Sequence, residues 1–209
     1  MSDIHRALVI LGFALAVSVL AGVLFRRRVT QCVAFFLLVL ASAGFTGLFL
    51  VQPRGNTPAL YLLKQGVYDS LLFAIALELS VRAFAAFRGV ADRVRVLLAS
   101  AVLASTACIF FLTPNSPYAQ FWRYQPSVTT AGIWCLSAVA LLIVWYQIPI
   151  RVFLKSVILA YVPYLVVFVI CVDLIGRLGW GAIPGLNILN AVAYDAMAAC
   201  WVFAAWRKD

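Results

Sequence analysis

Long apolar runs alternate with short polar segments along the whole chain, and this alternation defines the predicted elements. Each run has the length, about 20 residues, that a helix needs to cross a bilayer. None of them shows the strict apolar–polar alternation of a membrane-barrel strand. The pattern therefore predicts an all-α, polytopic membrane protein with seven transmembrane helices in one bundle and a single domain, residues 1–209. The predicted spans cover residues 4–25, 31–51, 66–88, 96–113, 127–148, 152–176 and 186–206.

Two features modify this simple pattern. Residues 118–125 are rich in aromatic side chains, and Tyr118, Phe121 and Trp122 are spaced as in a short interfacial helix. We expect that segment to anchor the chain at the membrane edge. Pro163 lies in the middle of the sixth span, where a proline removes a backbone hydrogen bond and predicts a kink.

The composition and the distribution of charge agree with a membrane protein and add an orientation. The chain is 66% hydrophobic and 11% charged, with a net charge of +9. In a soluble protein this charge would favour nucleic acid, whereas in a membrane protein lysine and arginine mark the cytoplasmic loops. Ten of the 16 basic residues fall in one set of predicted loops and five in the other. This bias predicts an external N-terminus, a cytoplasmic C-terminus and no nucleic-acid partner.

Glu78 and Arg82 are charged residues inside a predicted span, so they need an explanation. They are one turn apart and share a helix face. A charge at the bilayer centre costs roughly 2.5–3.5 kcal/mol on insertion scales, so we expect both side chains to point inward. They either form an ion pair that keeps neighbouring helices in register, or they bind a ligand or ion.

Other polar residues in the spans extend this hypothesis. Two tyrosines flank Pro163, and the last span carries a stripe of asparagine and tyrosine at helical spacing. We predict that these residues meet the third span in one polar pocket, although interhelical hydrogen bonding would also explain the stripe. The candidate ligand-binding residues are Glu78, Arg82, Tyr161, Tyr164, Asn187, Asn190 and Tyr194. A second candidate set, the outer polar cluster, contains Gln65, Asp69 and Asp173, the last spaced to pair with Arg177.

Catalytic and cofactor signatures are absent from the sequence. The five cysteines form no CxxC pair, His5 is the single histidine, and no phosphate-binding glycine loop occurs. The last span has no lysine that could hold retinal. We therefore predict no metal and no cofactor, and we single out no catalytic residue.

Three segments resemble a loose group of small bacterial seven-span membrane proteins. They are FRRRVTQCVAFF after the first span, ALELSVRAF in the third, and NILNAVAYDAMAACW in the last. The resemblance implies seven helices, a location in the bacterial inner membrane and no assigned activity. The topology is also similar to that of receptor-type and rhodopsin-type seven-helix bundles.

The sequence leads to three functional hypotheses. The first is a non-enzymatic, receptor-like sensory bundle, which binds a small amphipathic ligand and signals to a separate membrane or cytoplasmic protein. The second is a structural or accessory subunit of a larger membrane complex, and the third is a small-solute transporter. In all three cases the lipid bilayer is a partner.

Overall fold

The computed structural model describes residues 3–52, 57–83, 117–145, 147, 151–178 and 183–207, with Val96 and Ser100. Every regular element within these ranges is helical. The helices are α1 (Asp3–Phe25), α2 (Val33–Val51), α3 (Pro58–Ala83), α4 (Pro117–Trp145), α5 (Val152–Leu178) and α6 (Ile183–Trp206). A short 3-10 turn, Val29–Gln31, precedes α2. The predicted fourth span, 96–113, lies outside the described residues except at Val96 and Ser100.

By length and composition, six described helices are candidate membrane spans. Large apolar side chains such as Leu159, Phe203 and Val144 remain exposed on their surfaces, as expected for groups that face lipid rather than water. This confirms the predicted all-α class and indicates a multi-pass membrane protein. The spans are Asp3–Phe25, Val33–Val51, Ala59–Arg82, Ser127–Trp145, Val152–Ile175 and Ile183–Trp206.

Helix α3 begins at Pro58 instead of the predicted residue 66. Proline is well suited to the first position of a helix, where its missing N–H has no intrahelical partner to lose. Lys64 lies within the helix, with its ammonium group over the rings of Tyr61 and Tyr68 at 5.3 and 5.9 Å from their centroids. Glu78 lies in the described part of the third span, Ala59–Arg82, and residues 84–88 of the predicted span lie outside the described residues.

Helix α4 also differs from the prediction. Residues 118–125, predicted as a separate interfacial helix, form the first part of a continuous helix that begins at Pro117. The helical backbone continues through Pro126, whose missing N–H leaves one carbonyl of the preceding turn without its helical donor. The helix ends at Trp145, before the predicted residue 148, and Gln147 adopts a left-handed conformation with φ of 49°.

The chain divides into two compact units. The first, which we call the four-helix unit, comprises Met1–Thr57 and Arg151–Asp209 and contains α1, α2, α5 and α6. The second, the α3–α4 unit, comprises Pro58–Ile150. The single bundle expected from the sequence stays a prediction.

In the four-helix unit, α6 packs against both α1 and α5, and α1 packs against α2. The Phe35 ring contacts Phe153 and Trp201, so the start of α2, the start of α5 and the end of α6 lie together. Gly22 in the last turn of α1 faces Trp206. Helices α2 and α5 therefore run in one direction, and α1 and α6 run in the opposite direction. We call the end where these four termini meet the basic end, because it carries Arg26, Arg27, Arg28, Arg151, Lys155 and Arg207.

Glycines allow close helix contacts in both units. A Cβ at Gly12 would lie 2.7 Å from Asp195 Oδ1, and one at Gly22 would lie 2.9 Å from Trp206 Nε1. In the α3–α4 unit, a Cβ at Gly132 would overlap the buried Leu72 side chain. Small residues let helix backbones approach where lipid gives no hydrophobic drive for association. These positions therefore set the α1–α6 and α3–α4 spacings.

Candidate functional site

Three of the predicted site tyrosines lie together in the four-helix unit. Tyr161 and Tyr164 stack on either side of Pro163, with ring centroids 6.3 Å apart and planes 8° from parallel. Tyr164 also meets Tyr194 of α6 edge-on at 5.8 Å. Offset-stacked and edge-to-face pairs are the favourable arrangements for aromatic rings. The structure thus brings together the tyrosines of two predicted spans.

Ser42 of α2 joins this group, and the sequence did not single it out. The Tyr194 hydroxyl and Ser42 Oγ lie 2.6 Å apart, and either can be the donor. A serine inside an apolar helix often bonds a carbonyl of the preceding turn, so its presence alone gives no signal of an interhelical contact. The bond connects α2 to α6 and fixes the orientation of the Tyr194 phenol.

Asp195, next to Tyr194, is the most buried acid among the described residues, with 8% of its surface exposed. Its Oδ1 lies at the α1 surface beside Gly12. Its Oδ2 is buried and has no hydrogen-bond partner within the described chain. Asp195 lies one position away from the predicted stripe, so the sequence analysis left it out of the candidate set. Because α6 packs against both α1 and α5, it has two inward faces, and Asp195 lies on the one beside α1.

The predicted asparagines take different positions. Asn187 is exposed, and Asn190 is partly buried. The Oδ1 of Asn190 has no hydrogen-bond partner in the part of the chain that the structure describes. Two other members of the predicted stripe, Tyr194 and Trp201, do form interhelical bonds, and the Trp201 indole N–H donates to the Val157 carbonyl at 3.3 Å.

Aromatic side chains continue from the tyrosines to the basic end. Tyr161 meets Trp201 at 5.4 Å, Trp201 meets Phe35 at 4.9 Å, and Phe35 meets Phe153 at 5.6 Å, all edge-on. These contacts form an unbroken row of rings through the unit. We call it the aromatic row, and its members are Tyr194, Tyr164, Tyr161, Trp201, Phe35 and Phe153.

Arg28 closes the aromatic row at the basic end. Its guanidinium carbon lies 5.3 Å from the centroid of the Phe153 ring. Its two terminal nitrogens donate to the carbonyls of Ala204 and Arg207, each at 2.7 Å. These carbonyls belong to the last turn and the end of α6. Carbonyls at the C-terminal end of a helix have no N–H donor within the helix. The sequence analysis used the arginine cluster only as a topology signal, but Arg28 is a buried cap of α6.

The charged candidates in the α3–α4 unit form local contacts. Arg82 pairs with Glu78 at 2.8 Å, and Glu78 retains 20% side-chain exposure. Asp69 Oδ1 accepts bonds from Gln65 at 3.4 Å and from Thr129 of α4 at 3.5 Å. Thr129 was not among the predicted residues, since a threonine in an apolar run carries no distinctive signal.

Asp173, the remaining member of the predicted outer cluster, belongs to the four-helix unit. It pairs with Arg177 at 2.7 Å, as the i,i+4 spacing predicted, and both side chains are exposed. Gln65 and Asp69 belong to the α3–α4 unit. One pocket that unites the candidates of both units stays a prediction.

No family model, curated protein or solved structure matches the chain. The resemblance to small bacterial seven-span proteins therefore also stays a prediction. Among the described residues, no group of three or more His, Cys, Asp or Glu side chains could hold a metal ion. The function has to be argued from the geometry of the four-helix unit.

The Ser42–Tyr194 bond can be measured by a double-mutant cycle. We expect Ser42→Ala and Tyr194→Phe to couple by about 0.6 kcal/mol, the average for hydrogen bonds between membrane helices. Unfolding in mixed micelles would give the four free energies of the cycle. Ser156→Ala, which removes a bond within α5, serves as the control and should not couple to Tyr194→Phe. Additive effects of the Ser42 and Tyr194 changes would show that the contact does not stabilise the unit.

Proposed function

We propose that the protein is receptor-like, and that its four-helix unit binds a small amphipathic molecule and signals to a separate protein at the basic end. The observation that carries this proposal is the aromatic row. At one end it offers the hydroxyls of Tyr194 and Ser42, and beside them it offers the partly buried rings of Tyr164 and Tyr194. Small-molecule sites are mostly apolar with a few placed polar groups. This combination suits a ligand with an apolar body and one hydrogen-bonding group.

The row also supplies a physical route for a signal. Pro163 leaves the carbonyl one turn earlier in α5 without its helical donor, so α5 can bend between Tyr161 and Tyr164. A ligand that displaces Tyr164 acts on Tyr161 and Trp201 through direct ring contact. The row then reaches Arg28, which holds the end of α6. A cluster of basic residues beside a membrane suits an acidic protein surface or anionic lipid as the partner.

Seven crossings agree best with the direction of the helices. Helices α2 and α5 both begin at the basic end, so the chain between Val51 and Val152 has to cross the membrane an odd number of times. Helices α3 and α4 account for two crossings. In this proposal the apolar run at 96–113, outside the described residues, supplies the third. The excess of basic residues supports a cytoplasmic location for the basic end and the C-terminus, and we propose the bacterial inner membrane as the membrane.

Reporter insertions on either side of residues 96–113 test this topology. A reporter at Ala91 should be cytoplasmic, and one at Asn115 should be external. A reporter after Arg207 is the cytoplasmic control. If the reporters at Ala91 and Asn115 lie on the same side, the chain does not cross between them and the seven-span proposal is wrong.

The ligand proposal is tested on protein purified from its native membrane. We expect mass spectrometry to detect one small amphipathic molecule with the wild-type protein and roughly tenfold less of it with Tyr164→Ala, since an aromatic contact contributes about 0.5–1.5 kcal/mol beyond its buried area. Phe203→Ala is the matched control because Phe203 is an exposed aromatic of α6. Equal amounts in wild type and Tyr164→Ala, or no bound molecule at all, would exclude ligand binding at the row.

The accessory-subunit hypothesis is supported by a different observation. Phe35, Phe153 and Trp201 are almost completely buried against one another, so the basic half of the unit is a filled core. A subunit needs such a core and no ligand. It would co-purify with a protein partner in fixed proportion, and Tyr164→Ala would then alter only stability.

A further inference from the structure

We propose that Asp195 is a proton-binding site of the four-helix unit, and that the bound proton keeps α6 packed against α1. This inference goes beyond the proposed ligand binding and does not depend on it. It starts from three observations on one side chain. Asp195 is buried, it lies in a membrane-spanning helix, and its Oδ2 has no hydrogen-bond partner among the described residues.

The position of the carboxyl group is set by Gly12. Gly12 has no side chain, which leaves a notch in the surface of α1. Asp195 Oδ1 lies in this notch, 2.7 Å from the position that a Cβ of Gly12 would occupy. The Tyr194 ring lies beside the same notch, with Cε1 at 3.1 Å and Cδ1 at 3.2 Å from that place. At Gly12 the carboxyl therefore lies against the α1 backbone near the Tyr194 ring, and neither of these donates a hydrogen bond to a negative charge.

A proton is the occupant that fits this surrounding best. A charged acid inside a membrane needs a basic partner or a set of dipoles, and a metal cation needs several oxygen ligands around it. Within the described chain Oδ2 has no donor, and no ion pair with Asp195 occurs. A proton needs only the single free oxygen. Binding it turns the carboxylate into a neutral acid and removes the cost of the buried charge.

No titratable group on the described neighbouring helices is placed to neutralise an ionised Asp195. From α6 the nearest is Tyr194, whose hydroxyl is bonded to Ser42. From α5 it is Tyr164, which contacts the Tyr194 ring. From α1 the nearest are His5 and Arg6, six or seven residues from Gly12 and so about 10 Å away along the helix. Helix α2 carries no titratable side chain.

The proton has a structural consequence because Gly12 and Asp195 form part of the α1–α6 contact. When the acid releases its proton to water, the charge has to reach water or a cation. Since Oδ1 is packed in the notch, this requires α6 to turn or to separate from α1. Release of the proton would therefore change the packing of the helix whose end Arg28 holds.

Infrared spectroscopy of the full-length protein in lipid nanodiscs tests the proposal. A protonated carboxyl has a C=O stretching band that an ionised carboxylate lacks. We expect this band at mildly acidic pH in the wild-type protein and a loss of one carboxyl's share of its intensity in Asp195→Asn. The difference between the wild-type and Asp195→Asn spectra should disappear as the pH is raised. Asp173→Asn is the matched control, because Asp173 is exposed and paired with Arg177, and it should leave the band unchanged.

Two results would overturn the proposal. One is a wild-type spectrum without the protonated band at mildly acidic pH, which needs no variant. The other is a band of equal intensity in wild type and Asp195→Asn, which would assign the proton to another acid. If the asparagine variant does not fold, Asp195→Ala replaces it, since alanine removes the carboxyl group without adding atoms beside Gly12, and this variant should also lack that part of the band.

Discussion

Arg28→Ala should lower the free energy of unfolding of the four-helix unit by roughly 3 kcal/mol or more. The change removes two charge-assisted hydrogen bonds, and bonds to charged groups contribute about 1.5–3 kcal/mol each. It also leaves the carbonyls of Ala204 and Arg207 without their donors near a buried helix end. The contact with the Phe153 ring is lost as well. Unfolding of the purified protein in mixed micelles measures the effect.

The adjacent arginine provides a matched control. Arg27 is exposed and adopts a left-handed conformation with φ of 53°, so Arg27→Ala removes the same charge with little change in contacts. We expect it to alter the free energy of unfolding by less than about 0.5 kcal/mol, as surface substitutions usually do. Arg28→Lys should fall between the two, since an ammonium group cannot reproduce the two-pronged contact. If Arg27→Ala and Arg28→Ala are equally damaging, the arginines act through net charge and not as a cap.

The contrast between these arginines shows how far the sequence could be interpreted. Hydropathy and helix length are properties of one segment, so the class of the protein and the bounds of α1 could be predicted. Whether an arginine in a cluster faces water or the end of another helix depends on residues about 180 positions away. No local pattern contains that information, and Arg28 was therefore interpreted only as one of the basic residues that orient the chain in the membrane.

The candidate site could likewise be predicted only where local sequence patterns determine it. Helix periodicity grouped Tyr194 with the asparagines, and the tyrosine spacing around Pro163 drew attention to α5. Both tyrosine groups do meet in the four-helix unit. The periodicity argument assumed that the last span has one inward face, and it therefore excluded Asp195. Helix α6 packs between α1 and α5, so two of its faces are buried. A second buried face can be recognised in a sequence only when it is also strongly apolar, and a face that carries Asp195 is not.

The start of α3 was misplaced for a different reason. The predicted span began at residue 66, immediately after the polar residues Lys64 and Gln65. In the structure the Lys64 stem lies along the helix with its ammonium group near two tyrosine rings. Long basic side chains can keep their charge in a favourable place while the backbone is helical. The charge of a lysine is therefore weak evidence for a helix boundary when aromatic residues lie one turn away on each side.

The second large effect is expected at Gly132, where Gly132→Ala should destabilise the α3–α4 unit by about 2 kcal/mol. A Cβ at this position would overlap the side chain of Leu72, which is almost completely buried. Extra atoms in a well-packed contact cost about 1–3 kcal/mol. Alanine favours the helical backbone by up to about 1 kcal/mol over glycine, so the overlap has to exceed this gain. The measurement is the free energy of unfolding in mixed micelles.

A control and a rescue separate packing from backbone effects at this contact. Gly66→Ala makes the same chemical change in α3, where a Cβ would have no atom within 4 Å, so stability should be unchanged or slightly raised. Leu72→Ala removes the atoms that would overlap. The Gly132→Ala, Leu72→Ala double variant should therefore be more stable than the sum of the two single effects predicts. Strict additivity, or equal loss at Gly66 and Gly132, would mean that the α3–α4 spacing does not depend on this glycine.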